Sequence, residues 1–205
     1  METLTDLFPA LSQQQLDRFD AMEALYREWN ARINVISRKD IDHFRTHHLL
    51  HSLAIAKVAG FPPGSTVLDV GTGGGFPGIP LAVFYPEVRF TLCDSVGKKI
   101  RVAQAVAEGL GLQNVDCRQA RAESLDGSFD FVVSRAVTDL STFYPWIKGK
   151  YRNAVFYLKG GEIDEEIAGC ARQCRIDPGR FLQIRISNWF GDPWFEEKKI
   201  VIISR

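Results

Sequence analysis

Apolar residues recur at intervals of three and four near the amino terminus. Leu16, Phe19, Met22, Leu25, Tyr26 and Trp29 form one stripe behind a candidate N-cap at Ser12, which predicts an amphipathic helix. The pattern breaks over residues 34–39, resumes as a helical stretch over 41–59, and stops at Gly60-Phe-Pro-Pro-Gly64, where glycine and proline end helices. Residues 1–60 are therefore expected to form a helical extension leading into a core, residues 61–205, of different character, the two making one compact unit.

From Thr66 short apolar runs alternate with helical segments, the pattern of successive βαβ units around a mostly parallel sheet. Strands are predicted over 66–70, 89–94, 115–117, 129–134, 153–158, 183–187 and 199–203, with helices over 78–84, 98–110, 139–146 and 162–174. No helix separates the last two strands, which predicts an antiparallel pair at the sheet edge. The expected class is α/β, a mostly parallel seven-stranded sheet with an antiparallel edge strand and an N-terminal helical extension.

Composition narrows the partners. Lys and Arg number 25 and Asp and Glu also 25, so no whole-molecule positive field draws in nucleic acid, and any RNA contact needs a local patch. Arg27, Arg32, Arg38, Lys39 and Arg45, with Trp29 nearby, offer such a patch, although a solvated helix face explains them equally well. Apolar runs are broken by Gly, Pro or charge well short of a bilayer's width, so no membrane span is expected. The 4 cysteines are sparse and no signal-peptide pattern opens the chain, so a cytoplasmic location is expected; a monomer is expected too. Cys170 and Cys174 lie four apart on one helical face and read as small apolar residues, since no further ligands stand nearby for zinc. His43, His47 and His51 also share a helical face, with His48 beside them, and read as a packed or hydrogen-bonded face rather than a metal site.

Val67-Leu-Asp-Val-Gly71 runs as a buried strand into Gly71-Thr-Gly73-Gly-Gly75, and a helix follows Pro77. Such a loop turns tightly, admits a ligand close to the main chain and sets it before a helix N-terminus. A dinucleotide fingerprint needs a third glycine where Phe76 stands. The G-x-G-x-G form behind Asp69 instead resembles the S-adenosylmethionine loop of class I methyltransferases, a Rossmann-like fold. Asp94, ending the second strand 23 residues after Gly71, suits ribose hydroxyls in either ligand class.

The resemblance then sharpens. Asp69-Val-Gly-Thr-Gly-Gly-Gly-Phe-Pro-Gly-Ile-Pro-Leu81, Asp94-Ser-Val-Gly-Lys-Lys99, Ser134-Arg-Ala136, Leu158-Lys-Gly160 and the upstream Trp29-Asn-Ala-Arg-Ile-Asn-Val-Ile-Ser37 resemble the successive motifs of the RsmG (GidB) family over residues 20–205. That resemblance implies transfer of a methyl group from S-adenosyl-L-methionine to N7 of a guanosine in bacterial small-subunit (16S) ribosomal RNA, free or within a ribosomal particle. By matching positions it puts cofactor contacts on Gly71, Phe76, Ala122, Glu123 and Arg135, beside Gly73 and Asp94 of the loop reading. The chain departs from the family's Arg-His-Ile-Leu-Asp-Ser with His47-His-Leu-Leu-His-Ser52, replacing a charge pair by two histidines.

Guanine N7 carries a lone pair and no proton, so the implied reaction needs no general base and no catalytic dyad is expected. Rate should come from alignment and electrostatics. Arg135, at the end of the fourth predicted strand, could meet cofactor or target nucleotide; Lys159, after the fifth, could meet a phosphate or stand in solvent. The alternatives are a class I methyltransferase with another substrate, a nucleotide-dependent oxidoreductase, which Phe76 disfavours, and a cofactor-binding RNA module without turnover.

Overall fold

The computed structural model describes residues 2–205; Met1, the first residue of the expected extension, lies outside the described residues. Seven strands, β1 (Thr66–Val70), β2 (Arg89–Asp94), β3 (Val115–Gln119), β4 (Phe129–Arg135), β5 (Tyr151–Gly160), β6 (Phe181–Arg185) and β7 (Lys198–Ser204), form one sheet in the order β3-β2-β1-β4-β5-β7-β6. All neighbours from β3 to β5 pair in parallel, whereas β7 runs against both β5 and β6. The antiparallel pair thus lies at the sheet edge, and the strand order reverses between β1 and β4.

Alternate strand residues feed two apolar layers, as the two-residue period of a strand requires. Leu68, Val132, Val155 and Tyr157 face one side, under α6 (Leu140–Ile147) and α7 (Asp164–Cys174). Val67, Val133, Phe156 and Leu158 face the other, under α4 (Gly78–Phe84) and α5 (Gly97–Gly109). The second layer is continuous with Phe19, Met22 and Tyr26 of α2 (Gln13–Asn30) and with Phe44 and Leu53 from the helical stretch after it. Among the described residues no helix is long and apolar enough to cross a membrane.

Local chemistry sets the boundaries. Ser12 and Gln15 close a reciprocal capping box on α2. Asp139 caps α6, and three acidic residues, Asp164, Glu165 and Glu166, open α7 where the helix dipole favours them. A four-residue helix, α1 (Leu4–Leu7), capped by Thr3 and Asp6, is too short to show in the apolar period. The sixth strand begins two residues earlier than its pattern suggests, because the Asp177-capped turn Pro178–Arg180 delivers the chain at Phe181 and Ile186–Asn188 already turns away.

The largest departure is in the stretch 41–59. It is a succession of turns of different pitch, with a 3₁₀ turn Ile41–His43, a π-type segment Phe44–Leu50, a single α turn, α3 (His51–Leu53), and another 3₁₀ turn Ala54–Lys57. The wider π turn brings consecutive His47 and His48 onto the one carboxylate of Asp40.

The glycine loop is shaped from beneath by Asp69. Its Oδ2 accepts from the Thr72 hydroxyl at 2.6 Å and from the Gly78 amide at 2.8 Å, tying both ends of the loop to β1. Its Oδ1 is buried without a partner among the described residues. Burial pushes this carboxyl up to about 7, against the opposing pull of those two hydrogen bonds and of Arg135. From above, the buried Tyr26 hydroxyl donates to the Gly74 carbonyl at 2.8 Å.

Replacing Tyr26 by Phe strands the Gly74 carbonyl and should cost about 1–2 kcal/mol in urea unfolding. Asp69 binds its proton more tightly folded than unfolded, so its contribution to stability is full below about pH 4 and is lost as pH rises through about 7. Asp69→Asn should therefore gain on the parent protein by up to ~4 kcal/mol between acid and neutral pH; parallel urea-unfolding curves at pH 4.5 and 7.5 test this.

Candidate functional site

The cleft that opens where the strand order reverses has a volume of about 360 Å³, the expected place for a ligand in an open α/β sheet. Val70 and Gly71 from the end of β1, Cys93 and Asp94 from β2, and Ala120, Arg121, Ala122 and Glu123 after β3 line it, with Val137 after β4. The structure therefore brings Gly71, Asp94, Ala122 and Glu123 together at one opening.

Gly71 has φ +67°, and a Cβ there would stand 2.5 Å from a methyl of Val137, so neither the backbone nor the space admits a side chain. Gly73 reaches the cleft through Asp94: its amide donates to Asp94 Oδ2 at 3.0 Å, while Oδ1 accepts from Val96 at 2.8 Å. A carboxylate has about four acceptor positions, so Asp94 is oriented by two backbone donors and retains capacity for others. Val96 and Val137 are each 36% exposed, two of the three exposed large apolar residues among the described residues, and both flank this cleft. Ala136, between Arg135 and Val137, holds φ +45°, a conformation uncommon outside glycine that sets the turn leaving β4.

Phe76 and Arg135 lie elsewhere, against the N-terminal segment. Phe76 is buried, stacked on Tyr26 with centroids 4.6 Å apart, and the Arg135 guanidinium carbon stands 4.8 Å from its ring centre. Arg135 Nη1 donates to the His47 carbonyl and Nη2 to His48 Nδ1, each at 3.2 Å. Burial lowers Arg135 to about 10, partly offset by Asp69, which leaves it a cation at neutral pH. Asp40 accepts from His48 Nε2 at 2.7 Å and from His47 Nδ1 at 2.5 Å. The His47 ring lies between His43, 4.7 Å away, and Trp194, 4.1 Å away. Of the four histidines, His47 and His48 are thus hydrogen-bonded, His43 stacks on His47, and His51 is buried against Trp194 with its Nε2 unpartnered among the described residues.

Other candidates fall outside the cleft. Lys159 is neither solvated nor free for a phosphate: its ammonium sits 2.6 Å from Glu166 and donates to the Thr138 carbonyl at 3.0 Å. Arg27 pairs with Glu23 and Asp42, Arg32 with Glu28, and Arg45 donates to the Glu2 carbonyl. Arg38 and Lys39 are exposed with no carboxylate within 4.0 Å among the described residues. Cys170 is buried and Cys174 half-buried, both facing carbonyls of α6. Sequence reasoning missed Val96, Val137 and Trp146 as cleft walls and Asp40 as the hub of the histidines. The two valines carry a weak signal, each standing two residues past a strand end; Trp146 reaches the cleft only through the placement of α6.

Known proteins with this sheet include a SAM dependent methyltransferase from Aquifex aeolicus, TM-score 0.60 at 18% identity over 82% of this chain and 98% of that one. A magnesium protoporphyrin IX methyltransferase from Synechocystis PCC 6803, solved with bound SAM, superposes with TM-score 0.61 at 19% identity, covering 96% of this chain and 99% of the other. At such identities the likeness shows the fold. Sequence relatives go further. A ribosomal RNA small subunit methyltransferase G from Flavobacterium psychrophilum is 52% identical over 209 residues, 98% of this chain and 96% of that protein. Its counterpart from Porphyromonas gingivalis is 47% identical over 98% of this chain and 92% of its own length. The model of the GidB family, rRNA small subunit methyltransferase G, matches residues 13–188. With relatives this similar along nearly its whole length, the chain belongs to the rRNA small subunit methyltransferase G family.

Proposed function

We propose that this protein transfers a methyl group from S-adenosyl-L-methionine to N7 of a guanosine in bacterial small-subunit ribosomal RNA. The observation that carries the reading is the cleft at the strand reversal, where a side-chain-free Gly71, an oriented Asp94 and apolar flanks meet in a member of this family. The residues fit the cofactor. Asp94 would accept from its ribose hydroxyls, Val96 and Val137 would flank its adenine, Ala122 and Glu123 would border the base, and Gly71 and Gly73 would let it approach the main chain. Phe76 and Arg135 stand outside this cleft, on the N-terminal side of the loop, and would reach the cofactor only past that loop.

When bound, S-adenosylmethionine supplies a methyl group on a cationic sulfur. Guanine N7 offers a lone pair and carries no proton, so no residue has to take one up. The chain's part is alignment and exclusion of water: the Asp69 ties hold the loop, and Val96 and Val137 present an apolar wall.

Arg38 and Lys39, exposed and without carboxylate partners, would meet RNA phosphates. They stand three and four residues after Val35, whose side chain rests on Gly74 closely enough that a Cβ there would stand 2.9 Å away. Residues 1–60 and 61–205 would act as one unit and as a monomer: among the described residues the exposed large apolar ones are Val96, Val137 and Leu182, the first two in the cleft. A ribosomal RNA substrate, free or in a particle, implies a cytoplasmic enzyme.

Steady-state kinetics separate the two halves of the site. Asp94→Ala should raise KM for the cofactor by about tenfold or more and leave KM for RNA alone. The pair Arg38→Ala and Lys39→Ala should do the reverse, with a shallower salt dependence. A cofactor KM indifferent to Asp94 would overturn the assignment of the cleft.

A further inference from the structure

Arg135 is a cation in an unusual setting. Of the five N–H donors of a guanidinium, two are matched, one by a main-chain carbonyl and one by the ring nitrogen of His48. No carboxylate oxygen lies within 4.0 Å of it among the described residues. Its direction is fixed by the His47 carbonyl, the Phe76 ring and one imidazole, and of these only the imidazole contact depends on a protonation pattern. A guanidinium only donates and a carboxylate only accepts. His48 stands between the two, so its Nδ1 must be bare toward Arg135 and its Nε2 must carry the proton toward Asp40. The opposite tautomer sets an N–H against an N–H and a lone pair against a carboxylate, losing both bonds at once.

The surroundings hold that pattern. His48 is 6% exposed, and burial together with the charge of Arg135 lowers it to about 4, against the pull of Asp40, so the ring stays neutral. Phe44 and Phe76 lie against it, with centroids 6.0 and 5.1 Å away. Asp40 is tied a second time by His47, itself stacked on Trp194.

We infer that Asp40 and His48 are positioning residues: the Asp40 carboxylate fixes the tautomer of His48, and His48 in turn aims the Arg135 guanidinium at the end of β4. Resting on the methyl-transfer reading above, this gives the N-terminal segment a part in shaping the cofactor cleft, exerted through Arg135, which stands two residues before the cleft wall Val137 and against the Phe76 ring of the glycine loop. The segment is not only a cover for the sheet.

A double-mutant cycle tests it, with cofactor affinity measured by calorimetry using S-adenosylmethionine and S-adenosylhomocysteine. His48→Leu removes both bonds in a similar volume and should weaken binding about tenfold. His48→Asn keeps an acceptor where Nδ1 stood and should recover most of that loss. Asp40→Ala frees the tautomer and should cost about threefold or more. In an Arg135→Ala background the His48→Leu and Asp40→Ala changes should each alter affinity by less than about twofold, since the group they position is gone. Equal losses in both backgrounds, or no loss from His48→Leu in the parent protein, would overturn the inference. Should His48→Leu not fold, judged by its melting curve, Asp40→Ala carries the same cycle, its side chain being 36% exposed. A parent protein that binds neither ligand would overturn the function reading and this inference together; binding in the parent with an additive cycle overturns the inference alone.

Discussion

A carboxylate inside the sheet holds this molecule's working end together. Asp69 sits on β1, flanked by β2 and β4, with one oxygen shared between the Thr72 hydroxyl and the Gly78 amide and the other unmatched. Burying it is costly, which is why its proton is held up to about 7. In return the glycine loop is fastened at both ends, and every other feature is referred to that loop. Gly71 opens toward the cleft beneath Val137, Gly73 orients Asp94, Gly74 receives Val35 and the Tyr26 hydroxyl, and Phe76 carries the guanidinium of Arg135.

The loop thereby has two sides with different chemistry. One side is a cleft with apolar flanks and an oriented carboxylate, suited to an adenosine. The other is an aromatic and imidazole layer, Tyr26, Phe44, His48 and Phe76, that keeps a cation at the end of β4. The N-terminal helices supply most of that second layer. They share one apolar layer with the sheet, so the extension and the nucleotide-binding core depend on each other physically.

Periodicity made the sheet and its helices legible, because strands buried on both faces and helices buried on one leave strong apolar patterns. The glycine loop and Asp94 were legible for a related reason: backbone constraint and charge at a strand end are written locally. Two things were not. The stretch 41–59 reads as one helix, but its changes of pitch go together with side-chain bonds to Asp40 from residues seven and eight positions on, which no short window contains. The cleft walls Val137 and Trp146 come from separate elements whose approach is fixed only by packing. Family motifs named Arg135 and Phe76 yet carried no sign that a histidine tautomer stands behind them. Lys159 shows the opposite error, since its position after the fifth predicted strand left it a phosphate or solvent, while Glu166, on a later helix, already holds it.

Methylation of guanine at N7 in small-subunit ribosomal RNA can be read from the product itself. The protein is incubated with radiolabelled S-adenosylmethionine and small-subunit RNA or particles that lack the modification, and the RNA is then digested to nucleosides. Label in 7-methylguanosine is the expected result; label in any other nucleoside, or none despite measured cofactor binding, would overturn the assignment of this cleft.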